Sequence, residues 1–377
     1  MEFEFATAAR IVFGRGVIRQ ASSLVGGLGV RPLLVTGRSA ERGHRVLDGA
    51  ESFRVDGEPT IGLVEAGAEL ARSLRCDVVV GVGGGSALDA AKAIAALAVN
   101  PGPALEYLEV IGRGRPLGRA ALPVMAAPTT AGTGSEVTRN AVLSSPGHGV
   151  KVSLRHISML PKVALVDPDL MLSLPAAATA ATGLDALTQL IEPYVSVRAT
   201  AMTDPLCREG IPRVGSALCR AFDHPGDVDA RTRMALGALL SGMALANAGL
   251  GAVHGFAAVL GGRFAAPHGA LCAALLPAAM RVNVRALRER HPEGPYLDRY
   301  REVAVWLGEG SQATAESAAL AAGRQVERLL IPRLSQWGVR PADVPEAARL
   351  AEQASSMKGN PVKLTRTELE EILESAI

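Results

Sequence analysis

Short, unbroken apolar runs recur through the first part of the chain: Arg31–Thr36, Asp77–Val82, Pro123–Ala127 and Val163–Val166. Runs this short, bounded by glycine, proline or aspartate, read as strands covered on both faces, as in a parallel sheet. The stretches between them have helical length and pattern: Ser39–Leu47, Thr60–Leu74 and Ala87–Ala98, with a further strand near Ser52–Val55. Residues 3–13 predict an extended pair of short strands leading into Gly14-Arg15-Gly16, then a helix ending at Gly26-Gly27. Strands alternating with helices at this spacing predict a doubly wound parallel sheet.

Past Pro175 the pattern becomes helical almost throughout, rich in alanine and leucine. The expected boundary lies between Asp169 and Pro175, giving an α/β domain over 1–172 and an all-helical domain over 173–377. From Ala235 to Gly262 there is no Asp, Glu, Lys or Arg, a length that could cross a bilayer. Ser241, Asn247, His254 and seven glycines interrupt it, and no Trp or Tyr marks either end. The segment is therefore expected to form consecutive helices inside the helical domain rather than a membrane span.

Two glycine-rich turns follow predicted strands. Gly83-Gly84-Gly85-Ser86 stands between a strand and a helix, where bare backbone N–H groups and the helix dipole suit a pyrophosphate. The same four residues also suit a tight turn with no ligand. Thr129-Thr130-Ala131-Gly132-Thr133-Gly134-Ser135 follows the strand at 123–127 and adds three threonine hydroxyls. Two such loops at carboxyl ends of strands are what a dinucleotide crevice requires, although neither is the GxGxxG fingerprint.

In the helical part, Asp185 and Gln189 are four apart and share a helix face, while His254 and His268 are separated by fourteen residues. A carboxylate and two imidazoles brought together suit a borderline divalent cation such as Fe²⁺ or Zn²⁺. Two histidines satisfied inside an apolar core would give the same pattern.

Charge changes little: 39 Lys and Arg against 37 Asp and Glu leave a net of +2, with no electrostatic reason to expect nucleic acid or an anionic membrane. Cys76, Cys207, Cys219 and Cys272 form no CxxC pair and read as buried thiols of a reducing compartment. Glu2 and Glu4 stand where a signal peptide needs positive charge, so a cytoplasmic location is expected.

Taken together, Gly83–Lys92, Pro128–Thr138, Leu165–Asp169, Gly183–Leu187, His254 and Pro267-His268 resemble the iron-containing alcohol dehydrogenase family, which includes maleylacetate reductases. The resemblance runs from about residue 8 to beyond 280. It implies a dehydroquinate synthase-like architecture: a Rossmann-like N-terminal domain and an all-helical C-terminal one. It assigns the pyrophosphate to Gly83, Gly84, Gly85 and Ser86, with Asp89, Thr129, Thr130, Thr133 and Ser135 in the dinucleotide motifs and Lys151 approaching the ribose.

Similar enzymes that prefer NAD often carry an acid in the turn after the strand equivalent to residues 33–36. Here the turn reads Gly37-Arg38-Ser39, with no carboxylate to repel a 2′-phosphate, so NADP(H) is expected over NAD(H). For the metal, Asp185, His254 and His268 match three of four family ligands. Gln189 replaces a histidine, and Ala258 stands where many members carry another.

Two outcomes follow. Either the cation persists, with Gln189 as a fourth or outer ligand, or it is weak or absent and a histidine donates a proton. The expected activity is hydride transfer between a nicotinamide and a small alcohol, aldehyde or ketone. The alternative is metal-independent reduction of a small dicarboxylate, as in a maleylacetate reductase. A homodimer is expected, and a lyase on the same scaffold or a non-catalytic binding protein are the more remote readings.

Overall fold

The computed structural model describes residues 2–377. The chain divides into two compact units, Ala6–Leu172 and a helical unit containing Ser173–Ile377.

The first unit alternates strand and helix in chain order: β1 (Arg10–Phe13), α1 (Ala21–Gly26), β2 (Pro32–Thr36), α2 (Ala40–Val46), β3 (Glu51–Arg54), α3 (Ile61–Ser73), β4 (Val78–Gly83), α4 (Gly85–Leu97) and β5 (Val124–Pro128). A hairpin of β6 (Asn140–Ser145) and β7 (Val150–Arg155) precedes β8 (Val163–Val166). Six strands form one sheet in the order β1-β8-β5-β4-β2-β3, every pair parallel. The apolar runs follow from burial on two sides. Leu33, Val35 and Val79 pack with residues of α3 and α4, whereas Leu34, Val78, Val80 and Val82 pack with residues of α1 and α2. Alternate side chains of one strand thus serve opposite layers, and both layers are apolar.

Residues 3–13 do not form two strands: only Arg10–Phe13 is extended in the sheet, paired with β8 at its edge. The earlier residues carry no ladder, and the alternation Phe3-Glu4-Phe5 that suggested one has no strand to pair with.

From β2 the chain steps outward to β3 and then back past β2 to β4. The carboxyl ends of β2 and β4 therefore flank a topological switch point, where open α/β sheets leave a crevice.

The helical unit contains α5 (Ala176–Val195), α6 (Asp204–Asp223), α7 (Val228–Ala248), α8 (Ala252–Arg263), α9 (His268–Arg290), α10 (Tyr296–Trp306), α11 (Ala315–Arg328), α12 (Val344–Glu352) and α13 (Arg366–Ala376). Helix α5 packs against α6, α7 and α9, and every residue from Gly183 to Val195 is buried. A helix surrounded on all sides needs no polar face, which explains its Ala/Leu composition. The charge-free stretch 235–262 falls in α7 and α8, which meet at a 98° bend. Helix α9 is also long and apolar enough to cross a membrane, and 78% of its most apolar window is buried against the other helices.

Candidate active site

In the α/β unit, three turns meet at the carboxyl ends of neighbouring strands. Gly37 N–H donates to the Val82 carbonyl (3.2 Å), and Thr129 N–H donates to the Gly83 carbonyl (2.8 Å), so the turns after β2, β4 and β5 are tied edge to edge. The Gly83 backbone is packed so closely that a Cβ would stand 2.6 Å from Ala87 Cβ and 3.2 Å from Gly37 N. At Gly85 a Cβ would meet Thr133 Cγ2 at 2.7 Å. Only glycine keeps this bare cradle open at the start of α4, where the first-turn N–H groups lack helical partners. These features fit a pyrophosphate.

The other predicted cofactor residues fall into two groups. Gly84 lies against Thr130, and Ser86 is partly exposed in the first turn of α4. Asp89 and Ser135 instead bind each other: Ser135 Oγ donates to Asp89 Oδ1 (2.5 Å), and Asp89 also accepts from Val142 N–H (2.9 Å) and pairs with buried Lys92 (3.0 Å). They fasten the threonine loop to α4. Burial of Glu136 beside them raises its carboxyl to about 7, against the opposing pull of its own backbone hydrogen bond and of Lys92.

After β2, Ser39 caps α2 by accepting from Arg42 N–H, and Arg38 Nε donates to Asp56 Oδ1 (2.9 Å). Arg54 reaches the second oxygen of Asp56 (3.3 Å), so two guanidinium groups share one carboxylate. Lys151, on β7, donates to Glu58 (2.5 Å).

In the helical unit, Asp185, Gln189 and Glu192 stand at spacings of four and seven on buried α5, forming one polar stripe in an apolar helix. His254 lies in the first turn of α8, and His268 opens α9 directly after Pro267. Two of the first N–H groups of α8 are satisfied from elsewhere: Ala252 by Asn360 (3.2 Å) and Val253 by Glu192 Oε1 (2.7 Å). The other Glu192 oxygen accepts a hydrogen bond from His254 Nδ1 at 2.6 Å. That contact turns His254 Nε2 towards Asp185 Oδ1, 3.4 Å away, and His268 Nε2 reaches the same oxygen at 3.9 Å.

Asp185 Oδ1 and His254 Nε2 are both buried and neither makes a hydrogen bond. Buried polar atoms without partners cost free energy unless something else satisfies them. Asp185 Oδ2, by contrast, accepts from Gln189 Nε2 (3.0 Å), whose Oε1 accepts from Ser241 on α7 (3.0 Å). The reverse orientation of the amide would bring two acceptor oxygens together. Gln189 thus presents a nitrogen without a lone pair towards Asp185.

Cys272, one turn beyond His268 on α9, completes the cluster. Its sulfur lies 3.6 Å from His268 Nε2, and ligand atoms of Asp185, His254, His268 and Cys272 all fall within 4.8 Å of one another. Separations of about 3.3–3.8 Å are the edges of a tetrahedron with metal–ligand bonds of roughly 2.0–2.3 Å. The separations of 3.4, 3.6 and 3.9 Å lie at or just beyond those edges, and carboxylate, imidazole and thiol donors suit a borderline divalent cation.

The local field agrees. Burial pushes the His254 pKa down, but its interactions with Cys272, Glu192 and Asp185 outweigh it and hold the pKa well above the ordinary histidine value. Burial pushes Asp185 up, yet the two histidines bring it below the usual carboxylate range. Positive charge is favoured at this point. Three of the four side chains are buried, whereas His268 keeps 37% of its side chain accessible, which leaves the cluster open on that side.

Sequence reasoning anticipated Asp185, His254 and His268. It passed over Cys272, although the four-residue step from His268 on one helix was legible. It read Glu192 as a structural pair, because nothing in the sequence links α5 to the first turn of α8.

Comparison with known proteins agrees with this geometry. The model of the iron-containing alcohol dehydrogenase family matches residues 8–168, and that of the family's C-terminal domain matches residues 179–377. Alcohol dehydrogenase 4 of Saccharomyces cerevisiae is 38% identical over 319 residues, covering 84% of this chain and 80% of that protein. An NAD-dependent methanol dehydrogenase of Bacillus methanolicus is 32% identical and covers 97% of each chain. A crystal structure of 1,3-propanediol oxidoreductase superposes with a TM-score of 0.91 at 33% identity over the whole of both chains. The chain belongs to the iron-containing alcohol dehydrogenase family.

Proposed function

We propose that this enzyme transfers hydride between a nicotinamide dinucleotide and a small alcohol or aldehyde, with a divalent cation held by Asp185, His254 and His268. The observation that carries the cation is the pair of bare, buried atoms, Asp185 Oδ1 and His254 Nε2, facing each other at 3.4 Å. A cation bound there supplies Lewis acidity towards the substrate oxygen. Glu192 fixes the His254 ring, and Gln189 fixes the Asp185 carboxylate through its second oxygen. Ala258, four residues after His254, provides no imidazole on that face of α8, so the substrate proton travels through water or the cofactor ribose.

The dinucleotide pyrophosphate is assigned to Gly83, Gly84, Gly85 and Ser86, with Thr130 and Thr133 beside them and Lys151 towards the ribose. For the 2′ position, the reading is a preference for NADPH over NADH. Arg38 and Arg54 outnumber the single carboxylate of Asp56, and the Gly37-Arg38-Ser39 turn carries no acid. The methanol dehydrogenase relative is named NAD-dependent, so this preference would be a departure from it.

The relatives reported above are alcohol and diol oxidoreductases, which supports the alcohol and aldehyde reading and gives none to the maleylacetate alternative. We assign the enzyme to the cytoplasm, where its four free cysteines suit a reducing environment, and to a homodimer, testable by size-exclusion chromatography with light scattering.

The test is an assay of the Zn²⁺- or Fe²⁺-loaded protein with NADPH and NADH against short aldehydes and maleylacetate. Turnover of aldehydes, with higher kcat/KM for NADPH, is the expected result. Turnover of maleylacetate alone would overturn the substrate reading, and a preference for NADH would overturn the cofactor reading.

A further inference from the structure

Gln189 occupies the ligand position that departs from the family pattern. Its nitrogen, which has no lone pair for a metal, is the end turned to Asp185 Oδ2, and its oxygen faces Ser241 on α7. The bare atoms of the cluster have another neighbour. Cys272 is completely buried and lies one helical turn past His268, with its sulfur 3.6 Å from the imidazole that also faces Asp185 Oδ1. Residues four apart on a helix project to the same side, so His268 and Cys272 present their donor atoms together from α9. Asp185 Oδ1 and His254 Nε2, unpartnered and at least nine-tenths buried, point into the same small volume.

We propose that Cys272 is the fourth protein ligand of the cation, making an Asp185–His254–His268–Cys272 site in which Gln189 serves as a positioning residue. This rests on the reading that a divalent cation binds here. The S–H bond breaks on ligation, its proton passes to solvent, and the sulfur lone pair forms the metal bond; no electron is transferred. A thiolate softens the donor set, and the site then favours Zn²⁺ or Co²⁺ over the hard cations Mg²⁺ and Mn²⁺. Without a metal, Cys272 would be an ordinary buried thiol.

The experiment loads metal-free, full-length protein with Co²⁺ alone and records its absorption after dialysis, together with bound Co²⁺ per chain. A thiolate ligand gives an intense sulfur-to-cobalt charge-transfer band in the near ultraviolet, which oxygen and nitrogen ligands do not. The expected result is one bound Co²⁺ with this band in the wild type. Cys272→Ser, nearly isosteric, should lose the band and at least the roughly tenfold affinity that even an outer partner is worth. Cys207→Ser, altering a buried cysteine on α6, should retain the band.

Wild-type protein that binds Co²⁺ and shows only the weak visible bands of oxygen and nitrogen ligation overturns the proposal while leaving the cation reading intact. So does a band that survives in Cys272→Ser. Wild-type protein that binds no Co²⁺ overturns the cation reading and this proposal together. Should Cys272→Ser fail to fold, the wild-type spectrum still decides whether a thiolate is bound, and loss of the band in Cys207→Ser would reassign it.

Discussion

Glu192 Oε2 lies 2.6 Å from Nδ1 of His254, while its Oε1 accepts the Val253 N–H at 2.7 Å. One carboxylate on α5 therefore fixes both the start of α8 and the ring that begins its functional face. Its effect on a cation is indirect: it decides which imidazole nitrogen is left to bind.

Glu192→Ala should accordingly weaken Zn²⁺ binding by about 10–100-fold, as loss of an outer partner does elsewhere. It should also cost roughly 1–3 kcal/mol of stability through the orphaned Val253 N–H. Glu192→Gln keeps an acceptor oxygen and should lose less of both. Competition with a chromogenic chelator measures the affinity, and unchanged affinity in Glu192→Ala would remove the orienting role.

The glycine cradle predicts a separable defect. Gly85→Val places a side chain against Thr133, where even a Cβ would stand 2.7 Å from Cγ2. The KM for the dinucleotide should rise by about tenfold or more, equivalent to ~1.4 kcal/mol of lost binding. The metal content should not change, because every proposed ligand belongs to the helical unit. Steady-state kinetics with metal analysis on one preparation would check both halves.

Arg38→Ala removes one of the two guanidinium groups around Asp56. A charge-assisted hydrogen bond to a 2′-phosphate is worth about 1.5–3 kcal/mol, so kcat/KM for NADPH should fall by at least roughly tenfold and that for NADH far less. Equal losses with both cofactors would show that Arg38 does not contact the 2′ position.

Glu136 predicts a pH effect on stability. Its carboxyl is raised from 4.5 to about 7, chiefly by burial, so the folded protein holds a proton that the unfolded chain has released between those values. The resulting stabilisation is complete below about pH 4.5 and is lost as pH rises through about 7, amounting to roughly 3 kcal/mol. Denaturant unfolding of wild type and Glu136→Gln at about pH 5 and pH 8 should show this decline in the wild type and a flatter dependence in the variant.

The parts of the fold legible in the sequence are those with one dominant physical demand. β4, β5 and β8 must be apolar on both faces, so Val78–Gly83, Val124–Pro128 and Val163–Val166 announced themselves. The β6–β7 hairpin did not. Buried positions alternate along Asn140–Ser145 and Val150–Arg155, but each strand buries only two apolar residues among its polar ones, and their joining turn at Pro146–His148 resembles any loop. Residues 3–13 erred the other way, since alternation without a partner strand makes no sheet.

At the site, Asp185, His254 and His268 were legible through their motifs. The roles of Gln189 and Glu192 depend on contacts from other helices: Ser241 on α7 for the first, and Val253 and His254 on α8 for the second. Helical spacing puts Gln189 on the Asp185 face but does not say which end of its amide meets the carboxylate.

The most direct test of the account is metal content against turnover in wild type and Asp185→Asn. Wild-type protein purified without chelator should carry about one Zn²⁺ or Fe²⁺ per chain and reduce a short aldehyde with NADPH or NADH. Chelation should abolish that activity and re-addition of the cation should restore it, while Asp185→Asn stays folded, binds little metal and is inactive. Full aldehyde turnover by metal-free wild type, or by metal-free Asp185→Asn, would contradict the account.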